Sequence, residues 1–229
     1  MDVKMMGAVG SVGAAATGGG FYLAFKENQT PVTISELFKK EKGLKLMTED
    51  GDAKWNEAWV KYRDDHKITD NTYKDEDGWG ISNWKEKRTG GDAFAEFKRE
   101  CEKRAKVAVQ DTKSQEYQNV KKYCSRPKKI SELLSEAGRT LLDKSKDTEL
   151  WNKSWSNYKL VNVESGSGTS AKYKASDTWT IAGWESKQKE ESAPEEYKTQ
   201  CETKVGGYVD PEKAFEDETF KQVKSWCTK

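Results

Sequence analysis

The sequence contains a single histidine, His66, among its 229 residues. Serine and cysteine catalytic sets normally use a histidine as general base, and His66 lies in a polar run, residues 63–67, that is typical of a solvated loop. The 39 acidic residues offer no distinctive pair for acid–base catalysis. We therefore expect a protein that is not an enzyme, with no catalytic residues, no cofactor and no metal site.

An excess of positive charge is also missing. The 40 basic and 39 acidic residues give a formal net charge of +1, and the two signs alternate along the chain. The densest basic stretch, residues 99–106, is interrupted by Glu100 and Glu102. Nucleic-acid-binding proteins usually present a basic stripe that contacts phosphates, so we expect no nucleic-acid partner.

Aliphatic residues are sparse, because all hydrophobic residues together make up only 34% of the chain. Burial must therefore depend on a few large side chains, and nine Trp, nine Tyr and seven Phe can provide them. The length suits two small domains of roughly 95 residues each.

The most informative feature is an internal repeat. The motif Ile-Ser-Glu-Leu begins at Ile34 and again at Ile130, an offset of 96 positions, and the offset becomes 100 and then 103 further along the chain. Pairs that match in these registers are Trp55/Trp151, Trp59/Trp155, Tyr62/Tyr158, Trp79/Trp179, Trp84/Trp184, Cys101/Cys201 and Cys124/Cys227. We predict an N-terminal anchor and linker at residues 1–30 and two homologous modules at residues 31–126 and 127–229.

Helical spacing dominates each predicted module. The first three matched aromatics of each module stand at i, i+4 and i+7, which places them on one helix face. Thr33 and Glu36 have the spacing of a capping box, Asp92 and Ser192 resemble N-caps of a third helix, and Asp210 precedes a proline that would open a fourth. The predicted fold class is mainly α, with two tandem helical bundles of four helices each.

Cysteine is limited to four residues, and no C-x-x-C motif is present. Cys101 and Cys124 are 23 positions apart and Cys201 and Cys227 are 26 apart, so pairing within each module is the favoured interpretation. Each such disulfide would add roughly 3–4 kcal/mol by the loop-entropy estimate. Two alternatives remain open, namely four buried free thiols and a zinc site assembled from both modules.

The N-terminal segment differs from the rest in having no charge between residues 5 and 25. Its 21 positions approach the roughly 20 residues of a membrane-spanning helix, although it is rich in Gly and Ala. We expect a transmembrane or signal-anchor helix. A cleaved signal peptide and a glycine-rich tail are the alternatives.

Two tryptophans in each module have no clear helical phase. The spacing of five between Trp79 and Trp84, and between Trp179 and Trp184, fits a loop, a hairpin or a helix start. Tryptophans at matched positions are typical of a core. The alternative is that these four line a ligand-facing groove.

Several loose motifs occur in both modules. They are Trp55-Asn56 to Trp59, Trp79 to Trp84 and Tyr123-Cys124, with counterparts at Trp151-Asn152 to Trp155, Trp179 to Trp184 and Trp226-Cys227. With the Gly/Ala-rich N-terminus, the whole chain resembles paralogous membrane-anchored surface proteins of hemotropic mycoplasmas. The resemblance implies display at the cell surface, with a role in antigenic variation or host contact.

From these observations we expect a single-pass cell-membrane protein with its globular part outside, facing a host-cell surface or antibodies. Its oligomeric state is open. The alternatives are a ligand- or peptide-binding module that uses the four tryptophans, a hydrolase that uses the same groove, and a cytosolic scaffold of two helical bundles.

Overall fold

The computed structural model describes residues 30–48 and 50–229. Residues from Pro31 to Lys229 form one compact unit. The predicted membrane-spanning segment, residues 5–25, lies outside the described residues. Within the described part, none of the helices combines the length and the apolar character needed to cross a membrane.

Helices are the main elements of the described chain. In the first half, residues 31–126, they are α1 (Ile34–Phe38), α2 (Trp55–Asp64), α3 (Trp84–Lys87), α4 (Ala95–Ala105) and α5 (Gln115–Tyr123). In the second half, residues 127–229, they are α6 (Ile130–Glu136), α7 (Thr148–Val161), α8 (Trp184–Lys187), α9 (Glu195–Val205) and α10 (Glu218–Trp226). The mainly helical class is therefore correct at this coarse level.

Short strands, which the sequence did not predict, join the helices. They are β1 (Val32–Thr33), β2 (Leu44–Leu46), β3 (Lys67–Thr69), β4 (Thr72–Tyr73), β5 (Ala108–Val109), β6 (Ser125–Pro127), β7 (Val163–Ser165) and β8 (Lys172–Tyr173). The pairs are antiparallel: β1 with β5, β2 with β6, β3 with β4 and β7 with β8. Strands of two or three residues are too short to show alternation in a sequence.

Some helix starts follow the local sequence signals. Thr33 caps α1, and its hydroxyl accepts from the backbone N–H of Glu36 at 3.3 Å, as predicted. Ser114 and Asp217 cap α5 and α10 in the same way. Each cap satisfies a backbone donor that has no partner inside its helix.

Other predicted starts are wrong. Asp92 and Ser192 do not cap the third long helix of each half, because α4 begins only at Ala95 and α9 at Glu195. Asp210 does not open the last helix either. Its side chain accepts from the backbone N–H of Glu212 within a turn, and α10 begins later, after Asp217.

The stretch with two tryptophans per half contains a short helix start. Trp84 opens α3 and Trp184 opens α8, so the described residues of each half contain five α-helices rather than four. The preceding residues, Asn83 and Gly183, have left-handed φ angles of 65° and 74°. Asn and Gly are the residues that most readily adopt this conformation.

Buried side chains form two clusters. One contains residues between Ile34 and Cys124, and the other contains residues between Ile130 and Cys227. Trp59 and Trp155 are fully buried near the centre of each. Burying such a ring removes roughly 150–250 Å² from water, which is about 4–6 kcal/mol at about 25 cal/mol per Å².

Candidate functional site

The four tryptophans proposed as ligand-facing lie in the two cores. Trp84, Trp179 and Trp184 are only 4%, 4% and 5% exposed, and Trp79 is partly buried. The indole N–H groups of Trp84 and Trp184 donate to the backbone carbonyls of Lys74 and Lys174 at 2.9 and 2.8 Å. Their rings therefore stabilise the folded halves, and the structure does not bring the four together along one groove.

Trp79 is the most accessible of the four. Its ring stacks on Phe97, with centroids 6.2 Å apart, and the guanidinium of Arg104 lies 4.6 Å from the Trp79 centroid. In the second half, the ammonium of Lys204 lies 5.1 Å from the centroid of Trp179. A cation thus covers this tryptophan in both halves, which is a favourable arrangement for a ring near the surface.

An aspartate carboxylate organises the turn before each short helix, and the one in the second half is buried. Asp177 accepts hydrogen bonds from the Tyr158 hydroxyl and from the backbone N–H groups of Trp179 and Ile181, the last two at 3.0 and 2.9 Å. Burial and the adjacent Asp177 raise the pKa of Tyr158 well above its ordinary value. The phenol therefore stays protonated and donates.

The first half repeats this arrangement. Asp77 accepts from the Tyr62 hydroxyl at 2.5 Å and from the backbone N–H groups of Trp79 and Ile81 at 2.8 and 2.9 Å. Burial and Asp77 raise the pKa of Tyr62. The sequence signal for this feature is the match of Asp77 with Asp177 at an offset of 100. A comparison of the two halves that is limited to aromatic residues overlooks this match.

His66 lies in the turn after α2, as expected, but it is only partly exposed and its ring has partners. Its Nδ1 lies 2.8 Å from the backbone oxygen of Tyr62, and its Nε2 accepts from the backbone N–H of Gly78 at 2.9 Å. Because Gly78 must donate, these contacts assign the ring proton to Nδ1. Both ring nitrogens are therefore engaged in structure.

Asn162 occupies the equivalent place in the second half, at an offset of 96 from His66. Its amide nitrogen donates to the Tyr158 carbonyl at 2.8 Å, and its amide oxygen accepts from the Thr178 backbone N–H at 2.8 Å. Histidine and asparagine can each donate and accept at once. This chemical equivalence explains why two different residues hold the same position.

A pair of asparagines supports the backbone just before the helices at which caps were predicted. The amide oxygens of Asn56 and Asn152 accept from the backbone N–H groups of Ala93 and Ala193, both at 2.9 Å. These asparagines lie on α2 and α7, which are distant in sequence from the segments that they support. Their signal was the Trp-Asn pair present in both halves.

The cysteines lie at disulfide distance in the predicted pairing. Cys101 is bonded to Cys124 and Cys201 to Cys227, with S–S distances of 2.04 and 2.01 Å. All four are at most 2% exposed. Since these bonds use the thiols, the structure contains neither the free thiols nor the zinc thiolates of the two alternatives.

The most strongly perturbed carboxylate lies where the two halves meet. Glu132 receives two hydrogen bonds from the guanidinium of Arg126, at 2.8 and 3.0 Å, and one from the Lys45 ammonium at 2.8 Å. The Arg126 hydrogen bonds, and then those from Lys45 and the Lys129 backbone, hold the pKa of Glu132 far below its ordinary value. Arg126 also pairs with Asp52.

Several open clefts line the surface. One of about 450 Å³ is bordered by Trp84 and is predominantly acidic, with Asp75 and Asp77 in its wall. A second, of about 390 Å³, lies beside Lys45 and Glu132. Over the residues the structure describes, no group of three or more His, Cys, Asp or Glu side chains is arranged to hold a metal ion.

Comparisons with known proteins give no assignment. No protein-family model matches the chain, and neither the curated proteins nor the solved structures contain a significant match.

Proposed function

We propose that this chain is a non-enzymatic, membrane-anchored surface protein whose two tandem homologous modules face the host cell or its antibodies. The observation that carries the proposal is the pair of buried disulfides at matching positions. Disulfides persist in oxidising compartments outside the cytosol, and small secreted domains with lean cores commonly depend on them.

The recurring contacts support the tandem arrangement. Each half has a tryptophan whose indole donates to a loop carbonyl at 3.1 Å, Trp59 to Gly90 and Trp155 to Glu190. The Asp-centred turns, the His66 and Asn162 bridges and the disulfides also match. Agreement in polar contacts as well as in core positions favours duplication of one ancestral unit over chance similarity.

The surfaces differ where the frameworks agree. Leu160 and Val161 are 68% and 48% exposed, and their counterparts at an offset of 96 are Asp64 and Asp65. The second half also has four additional residues in the loop at residues 164–170. A constant framework with differing surfaces is compatible with a displayed antigen or adhesion protein.

Membrane attachment is assigned to the uncharged segment at residues 5–25, and the globular part to the outside. The resemblance to surface proteins of hemotropic mycoplasmas is part of the proposal and agrees with this topology. Host-cell surface molecules or antibodies are the proposed partners.

The test combines surface labelling with thiol counting. Intact cells that produce the protein are treated with a membrane-impermeant amine reagent, and the native protein is alkylated and mapped by mass spectrometry. Labelling of intact cells together with two mapped disulfides would support the proposal. Labelling only after permeabilisation, with four free thiols, would refute it and favour a cytosolic scaffold.

A further inference from the structure

The segment that joins the two halves is bonded to both of them. Strand β6 pairs with β2, and the next residue, Lys128, donates its backbone N–H to Gly43 of the first half at 2.9 Å. The Lys128 carbonyl accepts from the Val209 N–H of the second half at 3.0 Å. Linkers between independent domains are usually exposed and make few contacts. This segment instead makes backbone hydrogen bonds to both halves.

The repeat explains why the junction segment is bonded to both halves. Each half uses an extended segment before its first helix, where Ile34 and Ile130 donate to Val107 and Gly207 at 2.9 Å. Each half also uses an extended segment after its last cysteine, as in β6 and in the mutual backbone bonds of Thr140 and Lys229. At the junction these two segments follow each other without a spacer.

Arg126 adds a buried charge to this junction. Only 7% of it is exposed, and its guanidinium is held by Asp52 of the first half and Glu132 of the second. A buried guanidinium must keep its carboxylates, because an unpaired buried charge is strongly unfavourable. The planar group also fixes the direction of both partners.

Lys128 makes a second polar link. Its side chain is 9% exposed, and its ammonium reaches the backbone oxygen of Glu41 at 2.9 Å and the carboxylate of Glu136 at 2.8 Å. Glu41 belongs to the first half and Glu136 to the second. The charge–carbonyl and charge–carboxylate bonds therefore bridge the halves independently of Arg126.

Close packing completes the junction. A Cβ atom added to Gly43 would lie 2.2 Å from the backbone oxygen of Pro211, which is far inside contact distance. Tyr208 of the second half lies with its ring centroid 4.9 Å from the ammonium of Lys54 and 5.8 Å from the guanidinium carbon of Arg126. The two halves are thus in contact through backbone, aromatic and charged groups.

We infer that residues 31–229 move as one rigid body, locked at Arg126, so that the two halves present their outer surfaces in a fixed mutual orientation. A partner that contacts both halves would then meet a single preformed surface. This inference concerns mechanics, and it holds whether or not the surface function proposed above is correct.

Limited trypsin digestion tests the lock. The peptide bonds after Lys128 and Lys129 are potential cleavage sites, and cleavage there would release two separately disulfide-bonded halves on a non-reducing gel. Lys106 and Lys113, which are exposed in turns, provide reference sites within the same protein. Both lie inside the loop closed by the Cys101–Cys124 disulfide, so their cleavage is followed on a reducing gel of the same digest. Because cleavage follows local opening, we expect the wild-type junction to be cut at least about tenfold more slowly than the reference sites.

Two variants then test the cause. Gly43→Ala introduces the clash with Pro211, and Arg126→Gln removes the shared charge; both should speed junction cleavage by about tenfold while reference cleavage stays constant. Gly91→Ala is the matched control, because a Cβ at Gly91 meets nothing within 4 Å. Tryptophan emission establishes that the two cores remain folded in each variant.

Each outcome decides the matter. Slow wild-type cleavage that becomes fast in both variants supports the lock. Junction cleavage in the wild type as fast as at Lys113 would overturn the rigid body. Unchanged slow cleavage in Arg126→Gln, whatever Gly43→Ala does, would overturn the assignment of the lock to Arg126.

Discussion

Replacing the buried carboxylate of Asp177 with an amide should cost a large share of the stability. Asp177 is 5% exposed and accepts from the Tyr158 hydroxyl and from two backbone N–H groups, those of Trp179 and Ile181. In Asp177→Asn one side-chain oxygen remains as an acceptor. The new amide N–H₂ group faces the backbone N–H of Ile181, which is itself a donor. The 2.9 Å charge-assisted bond from Ile181 is lost, that N–H keeps only its 3.2 Å contact with the remaining oxygen, and the new amide donor is buried against it.

The magnitude follows from these two effects. A hydrogen bond to a charged group contributes about 1.5–3 kcal/mol, and a buried unsatisfied donor costs about 1–3 kcal/mol. Because the effects overlap, we expect the free energy of unfolding to fall by about 2–4 kcal/mol. A domain has about 5–15 kcal/mol in total, so the change should be easy to detect.

The assay is equilibrium urea unfolding at pH 7, followed by tryptophan fluorescence with the disulfides intact. Asp77→Asn is the matched variant in the first half, and a smaller loss is expected because Asp77 is more exposed. Asp75→Asn is the control: its side chain is 82% exposed, so a change within about 0.5 kcal/mol is expected. If Asp177→Asn were as stable as Asp75→Asn, the carboxylate could not be the organising acceptor of the turn.

Three further predictions concern the charged and polar contacts. Because Arg126 depresses the pKa of Glu132, the stability from this pair is present above the ordinary value of 4.5 and is lost as pH falls towards the folded pKa. Glu132→Gln should therefore lower the free energy of unfolding by about 3 kcal/mol at pH 7. In urea titrations below pH 4.5, the difference in unfolding free energy between the wild type and the variant should narrow, and a constant difference would contradict the prediction. The raised pKa of Tyr158 acts in the opposite direction, because the stability it contributes is present below pH 10 and is lost as pH rises towards the folded pKa. Tyr158→Phe should therefore lose less unfolding free energy than the wild type as the pH is raised above 10. An unchanged slope of unfolding free energy against pH would contradict this prediction. His66→Asn should keep near wild-type stability, because Asn162 makes the same two bonds in the second half. His66→Ala should lose about 1 kcal/mol of unfolding free energy in thermal or urea unfolding. Equal losses in the two variants would contradict the equivalence of histidine and asparagine at this position.

The sequence was sufficient for features that depend on local spacing or on the repeat. Trp55, Trp59 and Tyr62 follow helical periodicity, and all three are buried on α2. The cysteine pairing followed from the repeat, because each half contributes one pair at a similar separation, 23 and 26 positions. Core aromatics are predictable in this way because their burial depends on the element that carries them.

Features that depend on distant partners could not be predicted in the same way. Asn56 supports the backbone of Ala93 from 37 positions away, so the local cap signal at Asp92 was misleading. Strand β2 acquires its conformation from pairing with β6, more than 70 positions along the chain. The role of His66 required recognising that asparagine can take its place, which is a chemical equivalence rather than an identity.

The junction belongs to the backbone pairing of both halves. Residues 125–130 complete the backbone pairing of the first half and begin that of the second, so neither half has an unpaired edge at this point. Inserting residues here would shift both registers at once, whereas the loop at residues 164–170 is four residues longer than its counterpart in the first half and the matching contacts on either side are kept. Variation is therefore structurally tolerated on the outer loops and strongly opposed at the centre. That distribution allows surfaces to diverge while the orientation of the two halves stays constant.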